Sequence, residues 1–183
     1  MAYLRPITEG DRRSFEVCSP GAGEVLGRYQ VANAQDVALA IERARKVQPQ
    51  WAATPVKQRA QLMDRALSVL LARREEIIER LTAETGRPVL DTLMIEIFAA
   101  CDCMNYYGRR ARSVLSDRKV GLHLLRMKAA KIIHRPLGVV GVISPWNGPF
   151  ILSINPTIQA VLAGNAVVLK PSEVTPDAGR ITE

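Results

Sequence analysis

Two polar side chains, Asn147 and Lys170, each stand at the end of a short apolar run, a setting in which ligand sites are built. Residues 138–143 (Gly-Val-Val-Gly-Val-Ile) are apolar throughout and rich in β-branched types, with Ser144-Pro145 closing them, which suits a strand buried on both faces. Residues 165–170 (Asn-Ala-Val-Val-Leu-Lys) read the same way. Between them Gly148-Pro149 marks a helix start, and residues 150–163 supply an apolar crossover that ends at Gly164. The spacing predicts a βαβ unit, which crosses over right-handed and places ligands beyond the carboxyl ends of its strands. Asn147 falls at the first of those ends, behind Ile143, Ser144, Pro145 and Trp146; Lys170 falls at the second, ahead of Ser172 and Glu173. A carboxamide offers a neutral donor, an ammonium group a point charge, and a carboxylate an acceptor. Each also has an ordinary reading: Lys170 as a solvated strand end, Asn147, Ser172 and Glu173 as turn residues, and Trp146 as a core or rim aromatic.

The motif Ser144-Pro145-Trp146-Asn147-x-Pro149, followed 23 residues after the Asn by Lys170-Pro-Ser-Glu173, resembles the aldehyde dehydrogenase superfamily. Glu84-Thr-Gly86-Arg-Pro88 and His134-Arg-Pro136-Leu-Gly138 extend the resemblance over about residues 15–176. It implies an α/β fold: the N-terminal part of the aldehyde dehydrogenase fold, a helical layer plus the first βαβ of a Rossmann-like parallel sheet, with a projecting β-hairpin arm. The activity it implies is NAD(P)-dependent oxidation of an aldehyde to a carboxylic acid. In that family a Cys thiolate attacks the aldehyde, the thiohemiacetal passes hydride to a nicotinamide, and a carboxylate-activated water releases the acid. By resemblance Asn147 is the side-chain donor of the oxyanion hole, where a fixed amide N–H stabilises the developing anion by a few kcal/mol. Lys170 reaches the adenosine ribose, Glu173 accepts from ribose hydroxyls with Ser172 beside it, and Ile143, Ser144, Pro145 and Trp146 line the cofactor path. A carboxylate near the 2′-hydroxyl repels a 2′-phosphate, so NAD is slightly preferred over NADP. Gly148 stands where family members often carry a larger residue, which bears on the substrate side of the pocket, and Asn155-Pro156 resembles only some branches. No particular aldehyde follows from them.

The family's nucleophile lies in a Gly-Gln-x-Cys-like context and its general base in a Glu-Leu-Gly-Gly-like one, and neither occurs in these 183 residues. Cys18 sits in a predicted strand, and Cys101 and Cys103 lie two apart on a predicted helix, pointing to different sides. None of the three is the missing nucleophile. His123 and His134 are far from them, so no metal site is expected, and three cysteines without a signal peptide suit a reducing cytoplasm. Thr175-Pro176-Asp177 predicts an N-cap, a Pro at the first helical position and an acid in the first turn of a helix that the sequence leaves within two turns or so. The expectation is the N-terminal segment of an enzyme, inactive alone and acting on an aldehyde once completed.

The elements that must position the site come earlier in the chain. Residues 14–19 and 25–31 flank Pro20-Gly21-Ala-Gly23 and predict a β-hairpin. Asn33 caps a helix with Asp36 in its first turn and Val37, Ala40, Ile41, Ala44 and Val47 on one face. Thr54-Pro55 opens another, with Leu62, Ala66, Val69 and Leu70 on one face, and residues 75–84 continue helically until Gly86. Pro88 starts a long segment through Tyr107 with Leu93, Ile97 and Cys101 on one side. Residues 120–125 and 128–133 read as two strands of a projecting hairpin. The expected division is therefore 1–117 (hairpin and helices), 118–136 (an oligomerisation arm, by resemblance) and 137–183 (the start of the cofactor-binding core).

The net charge of +7 is concentrated in residues 109–135, which hold nine basic residues against Asp117 alone. Elsewhere sixteen basic residues face seventeen acidic ones. A basic band of this kind suits polyanions, but it lacks interleaved aromatics and any nucleic-acid motif, so pairing of arm residues with acidic partners or solvent is the preferred reading. No apolar run is long enough to span a bilayer. A homo-oligomer is expected of a full-length relative. Two other classes stay open, a non-catalytic partner protein derived from the family and a basic nucleic-acid-binding module.

Overall fold

The computed structural model describes residues 3–9, 12–124 and 127–183. Strands β1 (Tyr3–Glu9), β2 (Arg12–Cys18) and β3 (Val25–Gln30) form an antiparallel sheet in that order. The predicted hairpin is the β2–β3 pair, in which Phe15 stands opposite Tyr29 and stacks on it with ring centroids 5.8 Å apart. β1 escapes a reading of the sequence because Pro6 removes a ladder donor and reads as a break; an edge strand tolerates it.

Helix α1 (Ala34–Ala53) begins as expected at Asn33, whose side chain accepts from the Asp36 amide while Asp36 accepts from the Asn33 amide. Its inward face is narrower than predicted: Ala44 is buried, and Val37 and Val47 are exposed. In α2 (Val56–Ala72) the predicted face is met at Leu70 and displaced by one residue elsewhere. Arg59, Met63 and Leu70 point inward, whereas Leu62, Ala66 and Val69 face solvent. Adjacent apolar pairs (Leu62/Met63, Ala66/Leu67, Val69/Leu70) make two stripes of equal period, and only packing chooses between them. α3 (Arg74–Thr85) stops at Gly86, which takes the left-handed conformation at φ 70° that ends helices. The next segment runs through α4 (Val89–Thr92), a π-helical turn (Leu93–Phe98) and α5 (Ala99–Leu115). The π turn shifts the phase, so the buried line reads Thr92, Glu96, Ile97, Ala100, Met104, Gly108 and Ala111, with Leu93 and Cys101 only half-buried. Met63, Leu70, Ile77, Leu81, Ile97, Met104, Phe150, Ile158 and Leu162 join α2, α3, α5 and the crossover helix in one core.

The predicted second hairpin is present with shorter strands, the first beginning two residues earlier than expected. β4 (Arg118–Val120) pairs antiparallel with β5 (Ala130–Ile132), and Gly121 to Leu124 are outside the ladder. The expected end of the first arm strand at Leu125 lies outside the described residues. The βαβ unit is present: β6 (Val139–Ile143), α6 (Ile151–Leu162) and β7 (Ala166–Lys170), with β6 and β7 parallel and Val139 opposite Ala166 through Ile143 opposite Lys170. Burial on both faces is not met, since Val142 is buried but Gly141 and Ile143 are exposed, Ile143 by 82%. The two strands pair only with each other among the described residues, so flanking cover is incomplete. The last helix, α7 (Pro176–Thr182), starts where predicted but is capped differently, as described below.

No helix among the described residues is long and apolar enough to cross a membrane.

Candidate functional site

The site grows from the carboxyl ends of β6 and β7. The Ser144 amide donates to the Lys170 carbonyl at 3.1 Å, so the two connecting loops leave the sheet from one line. In the first loop, Ser144 is buried and its hydroxyl lies 2.7 Å from that of Ser153. The Ser153 hydroxyl donates its proton to the Pro149 carbonyl at 2.5 Å, which makes Ser144 the donor to Ser153. This chain of hydroxyls folds the loop back onto α6. Pro145, Trp146 and Asn147 are left on the outside, with Trp146 46% exposed. The Asn147 carboxamide has no hydrogen-bond partner among the described residues, and Ile143, at the end of β6, is largely exposed.

α6 is held by the helical layer at both ends. At its start Glu96, fully buried, accepts through one carboxylate oxygen from the amides of Phe150 (3.1 Å) and Ile151 (2.8 Å). Its other oxygen pairs with Arg87 at 2.7 Å, and Arg87 also donates to the Asn147 carbonyl. At the other end, Trp51 donates to the Val161 carbonyl (2.9 Å), Arg59 to that of Leu162 (3.0 Å) and Gln48 to that of Gly164 (3.1 Å). Side chains thus satisfy groups that a helix leaves unpaired, with an anion at the N-terminus and a cation at the C-terminus, as the helix dipole favours. Pro156 lies within this helix, and Gly148 is buried at its entry. A side chain at Gly148 would begin 3.1 Å from Leu152 Cδ1 and 3.3 Å from Ile151 Cγ2, so a larger residue there requires both to move.

At the end of β7, the Lys170 ammonium and the Glu173 carboxylate pair at 2.7 Å, both more than half exposed. The Lys170 hydrogen bond, with backbone donation and the ammonium charge, holds the Glu173 carboxyl below the ordinary carboxylate range. Ser172 is turned away from them: it is buried, and its hydroxyl accepts from the Val174 amide at 3.2 Å. The structure therefore opens Ile143, Pro145, Trp146, Asn147, Lys170 and Glu173 to one end of the sheet, and commits the hydroxyls of Ser144 and Ser172 to the loops themselves.

Thr175 is the N-cap residue of α7 as predicted, with Pro176 at the first helical position and Asp177 in the first turn, but its side chain makes no capping bond. Its hydroxyl is buried without a hydrogen-bond partner, and the α7 amides of Asp177 (2.8 Å) and Ala178 (3.1 Å) are taken instead by the two oxygens of Glu84 from α3. A bidentate carboxylate serves two orphan amides where a hydroxyl serves one. Arg80 grips Asp177 through two bonds of 2.8 and 2.6 Å, and the Arg180 guanidinium lies 4.5 Å from the centre of the Tyr29 ring. Burial pushes the Glu84 carboxyl up to about 7, against the pull of its two amide donors. A reading of the sequence quotes Glu84 and Arg87 only within a motif, with no role of their own, and passes over Glu96. A carboxylate inside the apolar stretch Leu93-Met-Ile-Glu96-Ile-Phe98 was the available sign for the last.

The three thiols are buried or partly buried. Cys18 is buried, burial pushes the Cys101 thiol up, and burial with the Asp102 charge does the same at Cys103.

The aldehyde dehydrogenase family model matches residues 7–181. Among solved structures, an NAD-dependent benzaldehyde dehydrogenase from Corynebacterium glutamicum is 34% identical over 96% of this chain and 39% of its own, with a TM-score of 0.84. PnpE in complex with nicotinamide adenine dinucleotide, a protein of Pseudomonas sp. WBC-3, is 29% identical over 93% of this chain and 34% of its own, at 0.86. An E. coli NADP-dependent enzyme, 24% identical over 92% and 34%, shares the fold at 0.86. The chain thus spans little more than a third of the length of the structures it matches.

Proposed function

The chain belongs to the aldehyde dehydrogenase family, and from that premise we propose that it contributes the oxyanion donor and one side of the nicotinamide-cofactor site for oxidation of an aldehyde to a carboxylic acid. The observation that carries this reading is the pairing of an exposed, unpartnered carboxamide, Asn147, at the end of β6 with an exposed Lys170–Glu173 pair at the end of the adjacent strand. A donor with no protein partner is available to an oxygen from outside. The amide is neutral, so it stabilises an oxyanion without giving up a proton.

The residues fit a nicotinamide dinucleotide in kind. An ammonium that donates and a carboxylate that accepts match the two sides of ribose hydroxyls, and the exposed Ile143 and Trp146 supply apolar surface along the approach. Bound nicotinamide would supply the hydride acceptor. Ser144 and Ser172 serve by fixing the loops that carry these groups. The preference for NAD rests on the carboxylate of Glu173 repelling a 2′-phosphate, and on the NAD-dependence of the Corynebacterium glutamicum enzyme.

The test joins this chain to a polypeptide that supplies the rest of the family fold, including nucleophile and base. Asn147→Ala is expected to lower turnover about 10²–10³-fold with cofactor affinity little changed, the effect of removing one preorganised oxyanion donor. Lys170→Ala is expected to weaken cofactor binding first. If Asn147→Ala binds cofactor poorly and turns over normally once saturated, the two roles are assigned wrongly.

A further inference from the structure

We propose that the partly buried Arg87–Glu96 pair is a positioning device for Asn147, an inference that rests on the oxyanion reading of that residue. Oxyanion stabilisation requires a donor fixed before the anion forms. The Asn147 carboxamide cannot be fixed by its own contacts, because it makes no hydrogen bond among the described residues. Its location is set by its backbone, and the backbone is held by Arg87: the guanidinium donates to the Asn147 carbonyl with one arm and to Glu96 Oε1 with another. Glu96 in turn holds the amides of Phe150 and Ile151 through Oε2. One ion pair therefore clamps both ends of the five-residue segment 147–151.

The geometry of the clamp suits positioning more than simple stabilisation. Glu96 is wholly buried and Arg87 is 24% exposed, so the pair is shielded from water, and a guanidinium fork fixes direction as well as distance. Arg87 follows Gly86, the left-handed stop of α3, and Glu96 sits on the π turn that re-aims the following helix. Two irregularities of the helical layer thus point a cation and an anion at the same loop.

The experiment uses the 183-residue chain carrying Trp51→Phe, which leaves Trp146, next to Asn147, as the sole tryptophan. Arg87→Met and Arg87→Lys are compared by acrylamide quenching and anisotropy of Trp146, by amide hydrogen exchange over residues 147–154, and by helical circular dichroism. Arg87→Met is expected to loosen Trp146 and to speed exchange at Phe150 and Ile151 about tenfold or more, the change that follows loss of a charge-assisted hydrogen bond. Arg87→Lys keeps a charge beside Glu96 but loses the fork, so it is expected to retain protection at Phe150 and Ile151 while Trp146 stays loose. Unchanged Trp146 behaviour in both variants overturns the proposal, as does free exchange at Phe150 and Ile151 in the parent. A third result, loss of helix signal and protection together with full rescue of everything by Lys, also overturns it in favour of a purely structural pair. If Arg87→Met fails to fold, Arg87→Lys alone decides by the split between the two readouts. A null effect of Asn147→Ala on turnover would sink the oxyanion role while leaving dependence of Trp146 order on Arg87 intact, so the two failures are distinguishable.

Discussion

Glu84 shows how one side chain acquires a property that its type does not carry. It is 2% exposed, and its carboxyl is pushed up from the ordinary 4.5 to about 7 because desolvation outweighs two amide donors. The sign follows: with the folded value above the unfolded one, the native state holds the proton more tightly, so this group's stabilisation is full below about pH 4.5 and is lost as pH rises through 7. The loss is on the order of 3 kcal/mol by the free-energy equivalent of such a displacement. Urea unfolding midpoints should therefore fall between pH 5 and pH 8. Glu84→Gln, which keeps one acceptor for α7 and cannot ionise, should flatten the profile. A flat profile in the parent chain would refute the account. The window avoids interference from Glu76 and Glu173, whose carboxyls are held low by Arg73 and Lys170 and titrate below it.

At the scale of elements, the placement of α7 depends on a missing side chain. A Cβ at Gly179 would stand 2.5 Å from Pro171 Cγ and 2.7 Å from Pro171 Cβ, and Pro171 opens the loop that bears Glu173. Neither partner is a flexible chain end, so Gly179→Ala must shift α7 away from the β7 loop. We expect a loss of about 1–3 kcal/mol, the usual range for overpacking a close contact. The accompanying sign is weaker hydrogen-exchange protection at Asp177 and Ala178, whose amides reach Glu84. Gly108, whose nearest added contact is 3.6 Å, provides the control: Gly108→Ala should leave both measurements close to the parent, and equal effects at the two sites would count against the packing explanation.

Taken as a whole molecule, the chain presents a two-stranded parallel sheet with both outer edges unpaired among the described residues, and exposed apolar side chains: Ile143 at 82% and Leu137 at 90% at the ends of the first strand, and Phe98 at 61% on the helical layer. Open edges and apolar surface recruit other chains. Light scattering should show an apparent mass that rises with concentration, and a sharp, concentration-independent monomer would show these surfaces to be inert. The same chain assayed alone with aliphatic and aromatic aldehydes should reduce no NAD or NADP, because Asn147 has no nucleophile-derived oxyanion to stabilise; turnover above a boiled control that survives mutation of all three cysteines would overthrow that mechanism. What the sequence determined by itself was local in origin: the Asn33–Asp36 cap, the stop at Gly86, the βαβ period, and the arrival of Asn147 and Lys170 at strand ends. Each depends on residues within a few positions of one another, or on a periodic pattern that any copy of the element would show. Tertiary structure alone decided which of two equal stripes α2 buries, and it decided that Glu96 and Glu84, rather than neighbouring hydroxyls, cap the helices of the site. Those partners lie 55 and 93 residues from the amides they bind, and an orphan amide selects its acceptor by distance in space, for which the order of residues along the chain keeps no record.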